Sequence, residues 1–106
     1  MSYYRCLEQS IAALSDEDQQ NLTTMAKTIP NRVWSRESGF LLKLTKINAE
    51  DTNRHILDEM SFLTAQCEMP FSKSLNDCLL YALGNGYQLI EFDTEIDPTD
   101  LIANKG

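Results

Sequence analysis

The sequence predicts an α+β domain, with a small antiparallel sheet of about three strands and helices packed on one face, in the order ααββααβ. Three observations carry this expectation. Apolar residues recur at helical spacing in four stretches; they alternate with period two mid-chain and again near the end; and proline or glycine punctuates the joints. At 106 residues the chain suits one hydrophobic core, and a domain of this size buries roughly 65% of its unfolded surface. A single domain over residues 1–106 is therefore expected, with about residues 97–106 as a partly flexible acidic tail.

Residues 4–14 place Leu7, Ile11 and Leu14 at i, i+4 and i+7, one face of a first helix. Ser15 reads as the N-cap of a second, with Asp16, Glu17 and Asp18 in its first turn, where negative charge suits the helix dipole. Ser15 with Asp18 approximates a capping box. Leu22, Met25, Ala26 and Ile29 line the apolar side of this helix, and Pro30 stops it. "RVWS" and "GFLLKL" then flank the turn "RESG" as a β-hairpin, with Phe40, Leu42 and Leu44 on one face and Leu41 and Lys43 on the other.

Asn48 opens a third helix, with Glu50 and Asp51 in its first turn and Ile56, Met60, Leu63 and Cys67 along one side; Met69-Pro70 ends it. Ser72 or Ser74 opens a fourth, striped by Leu75, Cys78, Leu79, Ala82 and Leu83, and Gly84-Asn85-Gly86 closes it. The last strand runs from Tyr87 to about Phe92, with Ile90 and Phe92 facing one way and Tyr87 and Leu89 the other.

The formal net charge of −7 favours solubility and opposes unassisted binding to nucleic acid or to an anionic membrane. The bases are unevenly spread. Lys27, Arg32, Arg36, Lys43 and Lys46 share one 20-residue stretch whose sole acid is Glu37, which leaves four of the nine bases and fifteen of the sixteen acids outside it. Three cysteines, Cys6, Cys67 and Cys78, form no close pair. The first residues hold no apolar core of signal-peptide length, and no apolar run approaches the roughly 18 to 20 residues of a membrane span. A cytoplasmic protein with reduced thiols and no membrane partner is expected.

The acidic run "EFDTEIDPTD" invites a metal reading first. Counted as a calcium loop from Asp93, it has Pro98 where glycine must turn the chain and Asn104 where a bidentate glutamate must close the site, so it fails. Glu91 and Asp93, two apart at a strand end, share a face and would suit magnesium in a small metal-dependent hydrolase or nuclease, with His55 in support. His55 has Asp51, Asp58 and Glu59 within a helical turn but lacks the further close-spaced ligands of a zinc site. The blander reading makes the acids a solvated sheet edge. Between these lies a surface of Glu91, Asp93, Glu95, Asp97 and Asp100 that meets a basic protein.

Cys67 and Cys78 fall on apolar stripes and read as core; a nucleophilic Cys–His pair would have to form in space. No phosphate-cradling glycine loop or nucleophile elbow is present. "RVWSR" sets Trp34 between Arg32 and Arg36, the composition of a stacking platform for single-stranded nucleic acid, opposed here by the overall charge. A tryptophan on a small sheet is most often core, and otherwise the anchor of a protein interface, so Trp34 is expected first in the core. No paired acid, base or nucleophile emerges, so a non-enzymatic role without a cofactor is expected.

"DEDQQNL", "VWSRESGFLLKL" and "SLNDCLLYALGNGYQLIEFD" together resemble uncharacterised small domains encoded on bacterial plasmids, prophages and integrative elements. In those a tryptophan precedes an aromatic-glycine strand, and a helix leads through glycine into a strand ending in Phe-Asp. The corresponding residues here are Trp34, Gly39, Phe40, Gly86, Tyr87, Phe92 and Asp93, and the resemblance spans roughly residues 16–94. Acids continue past Asp93 in this chain, a departure from that pattern. The resemblance implies an accessory protein of a mobile element, a setting in which small acidic proteins often inhibit or regulate host systems. A small protein-binding regulatory module is therefore expected, one form of it an anti-defence inhibitor whose carboxylates, around Glu91 to Asp100, imitate nucleic-acid phosphates. The resemblance assigns no catalytic residue.

Overall fold

The computed structural model describes residues 5–44 and 52–97. They form four strands, β1 (Cys6–Ser10), β2 (Val33–Arg36), β3 (Gly39–Lys43) and β4 (Leu89–Asp93), and three helices, α1 (Asp16–Thr28), α2 (Thr52–Thr64) and α3 (Lys73–Gly84). The strands make one sheet in the order β1-β4-β3-β2. β2 and β4 both run antiparallel to β3, whereas β1 runs parallel to β4. The α+β class is as expected, but the sheet is mixed and four-stranded instead of antiparallel and three-stranded.

The difference lies in the segment expected to be the first helix. It is β1 followed by a single 3-10 turn, Ile11–Ala13, so the element order is βαββααβ after that turn is set aside. Leu7 and Gln9 are buried while Cys6 and Glu8 are exposed, the alternation of a strand. Ser10 then bends the chain, its Oγ accepting the Ala12 N–H at 3.1 Å. Leu14 therefore enters the same core from a different direction, and the i, i+4, i+7 spacing of Leu7, Ile11 and Leu14 arises without a helix.

α1 starts as its sequence requires. Ser15 Oγ accepts the Asp18 N–H and Asp18 Oδ2 accepts the Ser15 N–H, both at 3.0 Å, completing the capping box. The Asp18 carboxylate does more, because it is fully buried and also serves the start of α3. Its Oδ1 accepts the Ser72 N–H at 2.9 Å, and the Ser72 hydroxyl donates to Oδ2. Ser72 is itself the N-cap of α3, its Oγ accepting the Leu75 N–H at 3.1 Å. One carboxylate thus joins two helix N-termini, where unsatisfied N–H groups and aligned peptide dipoles stabilise its charge. Nearby, Asn21 Nδ2 donates to the Met69 carbonyl at 3.1 Å and ties the α2–α3 connection to α1.

α3 ends in a Schellman motif. The Tyr87 N–H reaches the Ala82 carbonyl at 2.9 Å, the Gly86 N–H reaches the Leu83 carbonyl at 3.5 Å, and Gly86 takes the left-handed φ of +78°. On α2, Leu63 is buried and Ile56 and Met60 pack at the core margin; the helix ends at Thr64, short of the expected stop at Met69-Pro70, and Cys67 packs against the core from the connection that follows. The expected cap Asn48, with Glu50 and Asp51, lies outside the described residues, as do Asp100 and the rest of the tail beyond Asp97. Leu7, Phe40, Leu42, Ile90 and Phe92 line the inner side of the sheet and share one core cluster with Leu22, Met25, Leu63, Leu75, Leu79 and Leu83 of the helices.

Asp18→Ala leaves the backbone N–H groups of both N-cap residues, Ser15 and Ser72, without their acceptor, so a loss of about 3 kcal/mol is expected. Asp16→Ala, an exposed first-turn change, should cost well under 1 kcal/mol. Urea unfolding of the two variants checks this, and equal losses would contradict a shared-cap role for Asp18.

Candidate functional site

The outer side of the sheet differs from the inner. Strand register places Glu8, Glu91, Leu41 and Trp34 in one row across β1, β4, β3 and β2. The adjacent row is Ser10, Asp93, Gly39 and Arg36, and the row on the other side holds Cys6, Leu89 and Lys43. Cys6, Glu8, Trp34 and Arg36 are exposed, and Leu41, Lys43, Leu89, Glu91 and Asp93 are half-buried. Among the described residues, the buried apolar side chains of the helices all belong to the core cluster they share with the inner side of the sheet.

Trp34 is 39% exposed, so it is not a core residue, one of the roles its sequence allowed. It stands at the sheet edge directly opposite Leu41. A large aromatic left in water beside a half-exposed leucine is the kind of patch that protein interfaces use.

The charges on this face follow from the register. Glu8 and Glu91 are direct neighbours on parallel strands, a repulsive pairing. Arg36 offsets it by reaching from β2 to Glu91 Oε2 at 3.0 Å. Its path crosses the place of Gly39, which has no side chain and cannot take one: a Cβ there would fall 1.7 Å from the Phe92 carbonyl oxygen. The pair is solvent-exposed and worth at most about 1 kcal/mol.

Asp93 is occupied differently. Its Oδ1 accepts the Glu95 N–H at 2.9 Å and its Oδ2 accepts the Ser38 hydroxyl at 2.9 Å, closing the sheet's end where the β2–β3 turn meets the exit of β4. The Glu95 backbone N–H first, and then the Ser38 hydroxyl, hold its carboxyl below the usual aspartate range. Glu95 and Asp97 are exposed beyond it. Of the expected acidic surface, Glu91 and Asp93 therefore share the outer face, Glu95 and Asp97 follow in the turn, and Asp100 lies outside the described residues. Glu8 joins this group unforeseen, because a helical reading of residues 4–14 could not set it beside Glu91, and with Cys6 exposed and Gln9 buried the strand shows no apolar alternation that would have signalled it.

Arg32 does not join Trp34 and Arg36. Its Nη2 binds Glu59 Oε1 of α2 at 2.6 Å, its Nε donates to the Lys43 carbonyl at 2.9 Å, and its guanidinium lies 5.2 Å from the Phe62 ring centre. The Glu59 side chain is only 5% exposed, so this pair holds α2 to the hairpin.

All three thiols have raised pKa values, the reverse of an activated nucleophile. Partial desolvation of its sulfur acts first on Cys6, although the residue lies exposed on the outer face, reinforced by Glu91 and Glu8; burial acts first on Cys67, reinforced by Asp18. Cys78 is pushed up to about 11 by burial, then by Asp77 and Asp18. Among the described residues no three His, Cys, Asp or Glu side chains are grouped to hold a metal, His55 included. Two depressions flank Gln20 and Thr24 of α1, one bordered by Asp16, Gln19, Thr23 and Phe40, the other by Asn21, Gln66, Glu68 and Met69. Each contains a single carboxylate. Among the described residues no helix is long and apolar enough to cross a membrane.

No protein-family model matches the chain, and no curated protein and no solved structure shows significant similarity to it.

Arg32→Ala leaves the Glu59 carboxylate buried without its guanidinium and should cost about 3 kcal/mol of stability. Arg36→Ala, on the open face, should cost less than about 1 kcal/mol. Thermal and urea melts of the two variants check the difference. Equal small losses would mean that Arg32 is available for ligands.

Proposed function

We propose that the chain is a small, non-enzymatic, protein-binding module that acts through the outer face of its sheet. The observation that carries the reading is the row Glu8–Glu91–Leu41–Trp34, an exposed aromatic anchor and an apolar step continuous with two carboxylates. The matching partner surface offers an apolar seat to Trp34 and positive charge to Glu8 and Glu91.

A narrower form of this proposal has the carboxylates of Glu91, Asp93, Glu95 and Asp97 stand in for nucleic-acid phosphates in a Lys/Arg-lined cleft. It asks more of the molecule, because Glu91 already pairs with Arg36 and Asp93 already accepts two hydrogen bonds. The broader form needs neither group released.

Affinity capture from the native host with wild-type and Trp34→Ala baits tests the proposal. A specific partner should lose at least about 30-fold in affinity on Trp34→Ala, the cost of a central interface aromatic. Its binding should also weaken steadily between about 50 and about 300 mM salt. A partner held equally by both baits would overturn the role of this face. A partner insensitive to salt would overturn the electrostatic half of the proposal.

A further inference from the structure

We infer that Asn85–Gly86 is a latent deamidation site, held shut by the folded junction between α3 and β4 and exposed to reaction when that junction opens. The site is separate from the outer sheet face and does not depend on its role.

Of the asparagines in the chain, only Asn85 precedes a glycine. Glycine has no side chain to shield its backbone nitrogen, so this pair cyclises more readily than any other asparagine step. The Gly86 nitrogen gives up its proton and attacks the side-chain carbonyl carbon of Asn85. A C–N bond forms, the side-chain nitrogen leaves as ammonia, and a five-membered cyclic imide results. Water then opens the imide at one carbonyl or the other, yielding aspartate or isoaspartate. Water is the sole co-reactant, and both residues are exposed to it.

The folded geometry blocks the first step. Ring closure needs the Gly86 nitrogen on the same side of the Asn85 Cα–C bond as Cβ. At the observed ψ of 9° that nitrogen lies instead beside the backbone nitrogen of Asn85. Rotating ψ would pull the Gly86 N–H from the Leu83 carbonyl and the Tyr87 N–H from the Ala82 carbonyl, undoing the end of α3. The side chain is restrained as well, because Asn85 Nδ2 donates to the Tyr81 carbonyl at 2.8 Å.

Arg5 fastens the junction from the start of β1. Its Nη1 donates to the Asn85 carbonyl at 2.7 Å, its guanidinium stands 4.4 Å from the centre of the Tyr87 ring, and its N–H donates to Gln88 Oε1 at 2.9 Å. These hydrogen bonds are exposed, so the junction belongs to the part of the fold that opens first, well before the buried centre of β4. Isoaspartate adds a methylene to the main chain between residues 85 and 86, which moves the Tyr87 N–H off the Ala82 carbonyl. The product therefore cannot close the junction again, and a transient opening becomes a permanent one.

Folded protein and protein in concentrated urea are incubated at mildly alkaline pH, and the forms of the peptide spanning Asn85–Gly86 are resolved by chromatography and mass spectrometry. Isoaspartate should accumulate readily in urea and at least about 10-fold more slowly in the folded protein. Across sub-denaturing urea, the rate in wild type should rise in step with hydrogen exchange of the Tyr87 N–H and ahead of that of Ile90. Arg5→Ala should speed the folded reaction by at least about 3-fold and leave the rate in concentrated urea unchanged, with Ile90 still protected. Asparagine that persists in urea overturns the site. Equal rates in the folded and unfolded protein overturn its protection, and a rate that follows Ile90 overturns the junction as the gate. An Arg5→Ala protein with Ile90 protected and an unaltered rate overturns the part given to Arg5.

Discussion

β4 hydrogen-bonds to a strand on each side, and the rest of the structure is arranged by that placement. It pairs residue by residue with β1 in parallel and with β3 in antiparallel register, and its inward side chains, Ile90 and Phe92, are buried at the centre of the core. Each such side chain contributes roughly 1.5–3 kcal/mol when fully withdrawn from water. Because side chains alternate along a strand, burying Ile90 and Phe92 obliges Leu89, Glu91 and Asp93 to face the other way. The helices are held over the inner side by polar links, chiefly the Asp18 carboxylate between the starts of α1 and α3 and the Arg32–Glu59 pair between the hairpin and α2.

The outer face is thus a by-product of the core, yet its composition departs from a solvated surface. Two carboxylates sit side by side, an arginine crosses a glycine to neutralise one of them, and the chain's only tryptophan stands at the edge of the same row. A face with no binding role would gain by dispersing the acids and replacing the aromatic with a polar side chain. The functional proposal rests on this local cost.

Much of the fold was legible because it is written in local chemistry. The Ser15–Asp18 box, the Ser72 cap, Pro30, and the Gly86 stop each satisfy or terminate backbone hydrogen bonds within a few residues, so spacing alone reveals them. The alternation in β3 and β4 was equally clear. β1 was not, because its hydrogen-bonding partner lies near the other end of the chain and buried Gln9 interrupts its apolar pattern. For the same reason nothing local showed that Asp18 also serves Ser72, or that Arg32 turns to Glu59 while Trp34 and Arg36 remain exposed. The candidate site was half visible. Glu91, Asp93 and Trp34 could be named, but their common face and its fourth member, Glu8, depend on register across four strands.

The claim on which the account turns is that the sheet is covered by helices on one side only. NMR of the protein with a soluble paramagnetic agent tests this residue by residue along β4. The account expects strong broadening at the side chains of Leu89, Glu91 and Asp93 alternating with protection at Ile90 and Phe92, and broadening at Trp34 and Leu41 in the same spectrum. Protection of Leu89, Glu91 and Leu41 at a level matching Ile90 and Phe92 would show that the face is covered and would contradict it.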